Sequence, residues 1–180
     1  MKKVHLGCWH RDFEGFINVD ICDMPHIHYK SEINNLSFFG SNSIDYIYCS
    51  HALEYYNYEE SKKALTEWNR VMKKGAILRI AVPDFDALLE VYNKTGEISS
   101  IIGPLYGKMK VNSIDIYHRQ VFNFNRLKDI LEESGFKKVI RYDWRDTEHA
   151  IYDDHSQAYF PHMDKEKGIL VSLNVECEKV

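Results

Sequence analysis

The sequence predicts a three-layer α/β domain with a mostly parallel sheet, and three observations lead to this prediction. Short apolar runs alternate with segments in which apolar residues recur at helical spacing, which is typical of parallel sheets with crossover helices. The clearest run, AILRIAV at residues 76–82, predicts a buried strand directly after a helical segment. The last two predicted strands have no helix between them, which indicates one antiparallel member in the sheet.

The predicted elements follow one another along the whole chain. Strands are predicted at residues 3–6, 16–20, 27–29, 44–49, 76–82, 138–142 and 169–178, and helices at 59–72, after Asp84, and at 125–134. Lys73 and Lys74 suit the negative end of the first helix, and Gly75 suits the left-handed residue beyond it. Residues 94–124 are predicted to be irregular, a length typical of a lid or binding segment. Since no linker interrupts the chain, we expect a single domain over residues 1–180.

Composition and charge exclude several classes of protein. The net charge of −4, with no long basic run, argues against a nucleic-acid partner. No apolar stretch approaches the roughly 18 residues of a membrane span, and the first residues do not resemble a signal peptide, so we expect a cytoplasmic protein. The four cysteines lack CxxC spacing and are interpreted as reduced thiols. The cluster of His149, Asp153, Asp154 and His155 matches no metal-ligand spacing, so no metal is expected.

Candidate site residues stand where the predicted strands end, because ligands of open α/β sheets bind outside the carboxyl ends of the strands. Gly7 follows the first strand, where the missing side chain lets the backbone approach a ligand. Asp20 ends the second strand, where its carboxylate can accept hydrogen bonds from ribose hydroxyls. Asp84 is interpreted as a helix cap rather than a ligand contact. His51 can exchange a proton near neutral pH or simply begin a helix, and both interpretations stay open.

Several motifs together resemble one family of enzymes. Residues 5–8 (HLGC) and 15–20 (GFINVD) are similar to the start of small class I S-adenosylmethionine-dependent methyltransferases, which are often found among polysaccharide-biosynthesis proteins. The likeness continues over nearly the whole chain, in residues 42–55, 67–75, 78–85, 142–145, 156–159 and 161–164. It implies the Rossmann-like class I methyltransferase fold, with seven strands of which the last is antiparallel. It also implies S-adenosylmethionine as cofactor and S-adenosylhomocysteine as product.

The resemblance also implies roles for individual residues of the cofactor site. Gly7 would approach the methionine part of the cofactor, Asp20 the ribose hydroxyls, and Asn35 the adenine amino group. Trp9 stands where the family usually has a second glycine, so we expect it either to stack on the cofactor from outside or to block the pocket. Asn35 stands where an acid is usual, and its amide oxygen can still accept a hydrogen bond. The full set expected at this site is Gly7, Cys8, Trp9, Asp20, Asn35, Ser50 and His51.

Methyl transfer mainly requires that the acceptor be aligned with a methyl group that is already reactive. A hydroxyl acceptor would gain from a general base, for which the candidates are His51, His118 and His149. Residues expected to bind the substrate are Arg119, Arg145, His155, Tyr159 and His162. We expect the segments 96–124 and 145–162 to enclose the acceptor, the alternative being that they pack against a second subunit in a homodimer.

The sequence therefore leads to one preferred function and two alternatives. The preferred function is a methyltransferase acting on a small molecule or on a sugar of a surface glycan. The first alternative is a binding protein that keeps the fold but has lost activity, for which Trp9 is the main argument. A nucleotide-sugar or nicotinamide enzyme is disfavoured because the glycine fingerprint and its helix are absent from the start of the chain.

Overall fold

The computed structural model describes residues 1–111 and 113–180 and is built around a seven-stranded sheet. The strands, in chain order, are β1 (Lys3–Leu6), β2 (Phe16–Asp20), β3 (Tyr29–Lys30), β4 (Ile44–Ser50), β5 (Met72–Pro83), β6 (Met109–Val111), β7 (Ile114–Ile116), β8 (Phe136–Arg141), β9 (Tyr159–Phe160), β10 (Ile169–Leu170) and β11 (Ser172–Lys179). The helices are α1 (Tyr58–Val71), α2 (Phe85–Thr95), α3 (Ile102–Tyr106) and α4 (Phe124–Glu133).

The main sheet has the strand order β3-β2-β1-β4-β5-β11-β8. Neighbours from β3 to β5 are parallel, whereas β11 is antiparallel to both β5 and β8. The pairs β6–β7 and β9–β10 form separate antiparallel hairpins. The predicted α/β fold class, including the antiparallel strand at the end of the chain, is confirmed.

Local hydrogen bonds explain where the helices α1 and α2 begin. The Asn57 side chain accepts from the backbone N–H of Glu60 at 2.9 Å, and the Glu60 carboxylate accepts from the Asn57 N–H at 2.9 Å, which is a capping box for α1. Asp84 accepts from the Asp86 N–H at 3.1 Å at the start of α2. Its second oxygen lies 3.0 Å from the guanidinium of Arg141. Asp84 is therefore a helix cap, as the sequence predicted.

Two predicted elements need correction. Residues 73–75 do not end a helix, because Met72 is already extended and begins β5, so Gly75 lies within a strand at φ +78°. Pairing between β4 and β5 is irregular between Ile44 and Tyr46, which accommodates this early start. The segment 94–124 is not fully irregular either, since it contains α3 and the β6–β7 hairpin. The helix α3 and the strands of the β6–β7 hairpin are too short for a periodic pattern of apolar residues to show in the sequence.

The two faces of the sheet are covered in different ways. One face packs against α1 and α4 in the largest apolar cluster, in which Leu65 and Trp68 are fully buried. On the other face no helix connects β1 to β2, as the missing fingerprint predicted. There the strands are covered by a cluster of aromatic side chains that we call the aromatic cluster, namely His5, Phe13, Tyr48 and His149. The centroids of contacting rings in this cluster are 4.0–5.9 Å apart.

No helix in the described part of the chain is both long enough and apolar enough to cross a bilayer. All four cysteines are free thiols, and three of them, Cys8, Cys49 and Cys177, are buried. The interpretation of the cysteines as reduced thiols is therefore consistent with their positions in the strands and the first turn.

Candidate active site

A cleft of about 940 Å³ lies outside the carboxyl ends of the parallel strands. Residues that follow β3, β2, β1, β4 and β5 line it, together with part of the segment 103–119. Neighbouring strands lie about 4.8 Å apart, so five strand ends span roughly 19 Å. We call the part beside β3, β2 and β1 the cofactor half, and the part beside β4, β5 and residues 103–119 the acceptor half. The volume is at the upper end for small-molecule sites and leaves room for two ligands.

Gly7 forms the turn at the end of β1, and no other residue type fits there. Its φ is +64°, and an added Cβ would lie 2.6 Å from the Cβ of Ala52, which belongs to the segment after β4. A side chain would therefore both strain the backbone and collide with that segment. The turn keeps the backbone open to a ligand at the junction of the two halves, as the sequence predicted.

Asp20 ends β2 with its carboxylate in the cofactor half. One carboxylate oxygen accepts from the Trp9 N–H and the other from the Cys22 N–H, each at 2.8 Å. The residue is 6% exposed and lines the cleft. An ionised carboxylate has about four lone-pair positions, so two remain for a pair of vicinal hydroxyls. The fixed orientation and the remaining acceptor capacity fit the ribose of a nucleoside cofactor.

The other residues expected at the cofactor site divide into two groups. Trp9 is 37% exposed, lines the cleft and leaves its volume open, and Ser50 also lines the cleft. Cys8 does not line it, because its side chain is 1% exposed and its thiol points toward the carbonyl of Val19. Asn35 does not line it either, since its side chain turns back to accept from the Ser37 N–H at 3.4 Å. These last two positions correct the sequence prediction.

Two polar lining residues of the cleft, Glu32 and Arg11, were missed by the sequence reasoning. Glu32 follows β3 and lines the cleft together with Asn34, the neighbour of the expected Asn35. Glu32 stands two residues beyond a strand end, and this spacing was a signal that an acid was available there. Arg11 also lines the cleft, and its Nε donates to the carbonyl of Asp153 at 3.1 Å. Within the described residues, no carboxylate pairs with the Arg11 guanidinium, so it can bind a carboxylate of a ligand.

Behind the acceptor half lies a group of three side chains that we call the cleft cluster, namely His51, Glu54 and His118. Glu54 is fully buried, and neither carboxyl oxygen has a hydrogen-bond partner among the described residues. One of these oxygens is 3.4 Å from Nδ1 of His51 and 3.7 Å from Nε2 of His118. Burial raises the pKa of Glu54 to about 8, and burial lowers the pKa of both imidazoles below the usual value. All three groups are therefore uncharged at neutral pH.

His155 is the histidine of the acceptor half whose nitrogens are free. It lines the cleft, is exposed, and stands edge to face against His51 with ring centroids 5.3 Å apart. No hydrogen bond engages its ring within the described residues, whereas both nitrogens of His51 and of His118 face protein groups. His155 can therefore exchange a proton with a bound molecule directly.

The cations of the acceptor half are already paired. Arg119 lines the cleft, but its guanidinium is 2.6 Å from the carboxylate of Glu60. Lys108 is 2.8 Å from Asp115 in the same way. Neither residue offers an unpaired positive charge, so Arg119, which was expected to bind the substrate, has no free charge for an anionic acceptor.

Four predicted site residues lie outside the cleft. His149 is 1% exposed and packs in the aromatic cluster on the other face of the sheet. Arg145 donates to the Tyr159 hydroxyl at 3.0 Å and to the carbonyl of Lys165 at 3.2 Å, and Tyr159 is buried in that contact. His162 is exposed beyond the β9 strand. The segment 145–162 thus contributes His155 and Ala158 to the cleft and otherwise packs against the sheet.

Across residues 1–111 and 113–180, no group of three or more histidine, cysteine or acidic side chains is arranged to hold a metal ion. His149, Asp153, Asp154 and His155 do not converge on one point, since His149 and Asp154 are buried against Tyr48 while His155 faces the cleft.

Comparison with known proteins places this architecture. Residues 17–80 match the family model described as a methyltransferase domain, whereas no curated protein shows a significant match in sequence. A methyltransferase from Thermotoga maritima, described as a possible histamine N-methyltransferase, has 14% identity and a TM-score of 0.60, with 99% of this chain and 82% of that chain covered. A methyltransferase from Archaeoglobus fulgidus has 18% identity and a TM-score of 0.58, with 99% and 86% covered.

A third similar structure contains ligands. The 1,6-didemethyltoxoflavin-N1-methyltransferase of Burkholderia thailandensis, with its substrate and S-adenosylhomocysteine bound, has 12% identity and a TM-score of 0.59, with 99% of this chain and 70% of that chain covered. These likenesses establish the fold, and the family match extends from β2 into β5. Residues 17–80 of the chain therefore match a methyltransferase domain, and the chain as a whole has the class I methyltransferase fold.

Proposed function

We propose that the chain transfers the methyl group of S-adenosylmethionine to a hydroxyl group of a small uncharged molecule or of a sugar in a glycan precursor. The observation that carries this proposal is the two-part cleft, with Asp20 in the cofactor half and His155 in the acceptor half. Paired cations in the acceptor half argue against a carboxylate or phosphate acceptor. Uncharged imidazoles and tyrosines there favour a neutral, hydrogen-bonding acceptor.

In this proposal, the cofactor half binds through Asp20, Arg11 and the backbone at Gly7. Asp20 accepts the two ribose hydroxyls, and Arg11 pairs with the carboxylate of the methionine part. Glu32 or Asn34 accepts from the adenine amino group, which replaces the role first expected of Asn35. Trp9 borders this half, and the cleft stays open beside it, which argues against the inactive binding protein.

The acceptor half supplies alignment and one proton acceptor. When bound, S-adenosylmethionine supplies an activated methyl group on its sulfonium sulfur. The acceptor hydroxyl oxygen forms the new bond to carbon as the sulfur–carbon bond breaks, and its proton passes to a free ring nitrogen of His155. Neither His51 nor His118 is proposed as the base, because their nitrogens face Ser172, Pro104 and Glu54.

An acceptor screen that measures release of S-adenosylhomocysteine tests the proposal. We expect turnover with neutral polyols or phenols and little turnover with carboxylates or phosphates of similar size. Turnover only with anionic acceptors would contradict the assigned chemistry. Tight cofactor binding without turnover on any acceptor class would support the alternative of a binding protein that has lost activity.

A further inference from the structure

The orientation of the His51 ring is fixed by a chain of hydrogen bonds that can run in only one direction. The Asn174 amide donates to the carbonyl of Ser156 at 2.9 Å, so its oxygen faces Ser172 and accepts from that hydroxyl at 3.0 Å. The Ser172 oxygen, 3.0 Å from Nε2 of His51, must therefore accept from it. Nε2 carries the hydrogen, and Nδ1 presents a lone pair to Glu54.

The orientation of the His118 ring follows from a single contact. Nδ1 lies 3.0 Å from the carbonyl oxygen of Pro104, which can only accept, so Nδ1 carries the hydrogen. Nε2 then presents its lone pair to Glu54. The ring fits only because residue 107 is glycine, since a Cβ at Gly107 would lie 1.8 Å from Nε2.

Two imidazole lone pairs thus converge on a carboxyl group whose oxygens are both buried and without a hydrogen-bond partner among the described residues. Such an arrangement lacks a donor unless the carboxyl group itself carries a proton, since a buried polar atom without a partner costs about 1–3 kcal/mol. A protonated Glu54 supplies that donor to either imidazole with a small movement of its side chain.

We infer that Glu54 is a positioning residue whose single carboxyl proton is donated in exchange to the lone pair of His51 or of His118, a contact that we call the bridge, and thereby holds residues 103–111 and 113–119 over the acceptor half. This inference rests on the proposed function for its kinetic readout. Its structural content is that the segment after β4, which carries His51 and Glu54, is joined to His118 through that proton. Backbone N–H groups of Arg119 and Gln120, which donate to the Glu54 carbonyl at 2.7 and 3.2 Å, attach the same segment from the other side.

Among residues 1–111 and 113–180, the other titratable groups near Glu54 do not compete for this role. Tyr55 stands edge to face against His118 at 4.7 Å, and Cys49 lies on β4. Burial raises the pKa of the Tyr55 hydroxyl and of the Cys49 thiol, so both are neutral. His155 contacts His51 from the cleft side, and Arg119 is neutralised by Glu60. Loss of the bridge as pH rises is therefore assigned to ionisation of Glu54.

The test compares Glu54→Gln with the wild-type protein across pH, because a glutamine amide donates at every pH. Above about pH 8 the wild-type carboxyl group ionises and the bridge is lost, so kcat/KM should fall about tenfold between pH 7 and pH 9. Glu54→Gln should stay within about threefold of wild type at pH 7 and show no such fall. Glu54→Leu, which offers no donor, should be low at both pH values. Glu59→Gln, an exposed carboxyl group on α1, is the matched control and should keep the wild-type profile.

A second readout needs no acceptor. Amide hydrogen exchange of residues 103–119, compared at the same pH, should be faster in wild type than in Glu54→Gln at pH 9 and equal in the two at pH 7. An alkaline fall shared by Glu54→Gln, or equal exchange at pH 9, would overturn the inference. Absence of S-adenosylhomocysteine binding would instead contradict the proposed function. The hydrogen-exchange comparison would then decide by itself whether Glu54 holds the segment.

Discussion

The described residues include a fully buried pair of histidines, His5 and His149, and a half-buried pair, His51 and His118, of which the second lies beside the cleft. In the cleft cluster, His51 and His118 flank a carboxyl group beyond the carboxyl ends of the strands. In the aromatic cluster, His5 and His149 stack on Phe13 and Tyr48 on the face of the sheet away from α1. Burial lowers the pKa of all four imidazoles.

The comparison teaches that a shifted pKa does not by itself mark a functional site. Burial produces the same direction of shift in both clusters, but only the cleft cluster adjoins a volume that can hold ligands. The aromatic cluster occupies the place of a helix between β1 and β2, so it stabilises the sheet. Substitutions in each cluster distinguish a role in the reaction from a role in the stability of the sheet.

The largest expected effect comes from a matched pair of substitutions, His155→Phe and His149→Phe. Removing the base from the acceptor half should lower kcat by about a hundredfold or more on a hydroxyl acceptor, while S-adenosylhomocysteine affinity stays within about threefold. His149→Phe should leave kcat within about threefold, because phenylalanine fits among Phe13 and Tyr48. Steady-state kinetics and calorimetry check both variants. Equal losses in the two variants would break the distinction between the clusters.

A second prediction concerns the stability of the aromatic cluster in acid. Burial lowers the pKa of His5 to about 3 and that of His149 to about 4, so the unfolded chain binds more protons than the folded chain below pH 6.5. Stability is therefore complete above about pH 6.5 and is lost as pH falls. Each histidine should contribute a loss of about 2 kcal/mol between pH 6.5 and pH 5.

His149→Phe should remove its share of that slope, and urea unfolding at pH 5, 6 and 7 measures it. A slope unchanged by His149→Phe would show that another group controls acid stability. His162→Phe provides a control, because His162 is exposed beyond β9.

The smallest expected effect is that of Trp9→Gly. Trp9 has φ +46° and borders the cofactor half, so glycine relieves backbone strain without opening the core. We expect S-adenosylhomocysteine to bind at least as tightly as in wild type and the unfolding temperature to change little. Indole fluorescence of the wild type should change on binding, and Trp9→Phe should lose that change, since Trp68 and Trp144 are buried. A Trp9→Gly protein that binds no better and unfolds several degrees earlier would show a core role.

The sequence predicted the fold and the strand-end residues because both depend on local pattern. The apolar runs and the Asp20 and Gly7 positions come from spacing within one segment, and the structure places Gly7 and Asp20 at the ends of β1 and β2 beside the cleft. His155 could not be ranked above His149 and Arg145, because the difference lies in which of these residues of one segment face the cleft. That orientation is set by long-range packing, in which residues 143–157 cover the strands where a helix was missing.

Some predictions of the sequence remain predictions. The single domain over residues 1–180, the homodimer, the cytoplasmic location and the link to polysaccharide biosynthesis depend on properties that neither the sheet nor the cleft determines. An acceptor screen tests the link to glycan synthesis, and the oligomeric state in solution tests the homodimer.

The most direct measurement for the two-part cleft is calorimetric titration of S-adenosylhomocysteine into wild type, Asp20→Ala and Asp23→Ala. Asp20→Ala should lose about 1.5–3 kcal/mol of binding, roughly 10- to 150-fold, because charged hydrogen bonds to the ribose are removed. Asp23→Ala, an exposed carboxylate paired with Lys30 in the same turn, should stay within about twofold. Asp20→Asn keeps the shape of the turn and checks folding by thermal unfolding. Unchanged affinity in a folded Asp20→Ala or Asp20→Asn protein would contradict the placement of the cofactor.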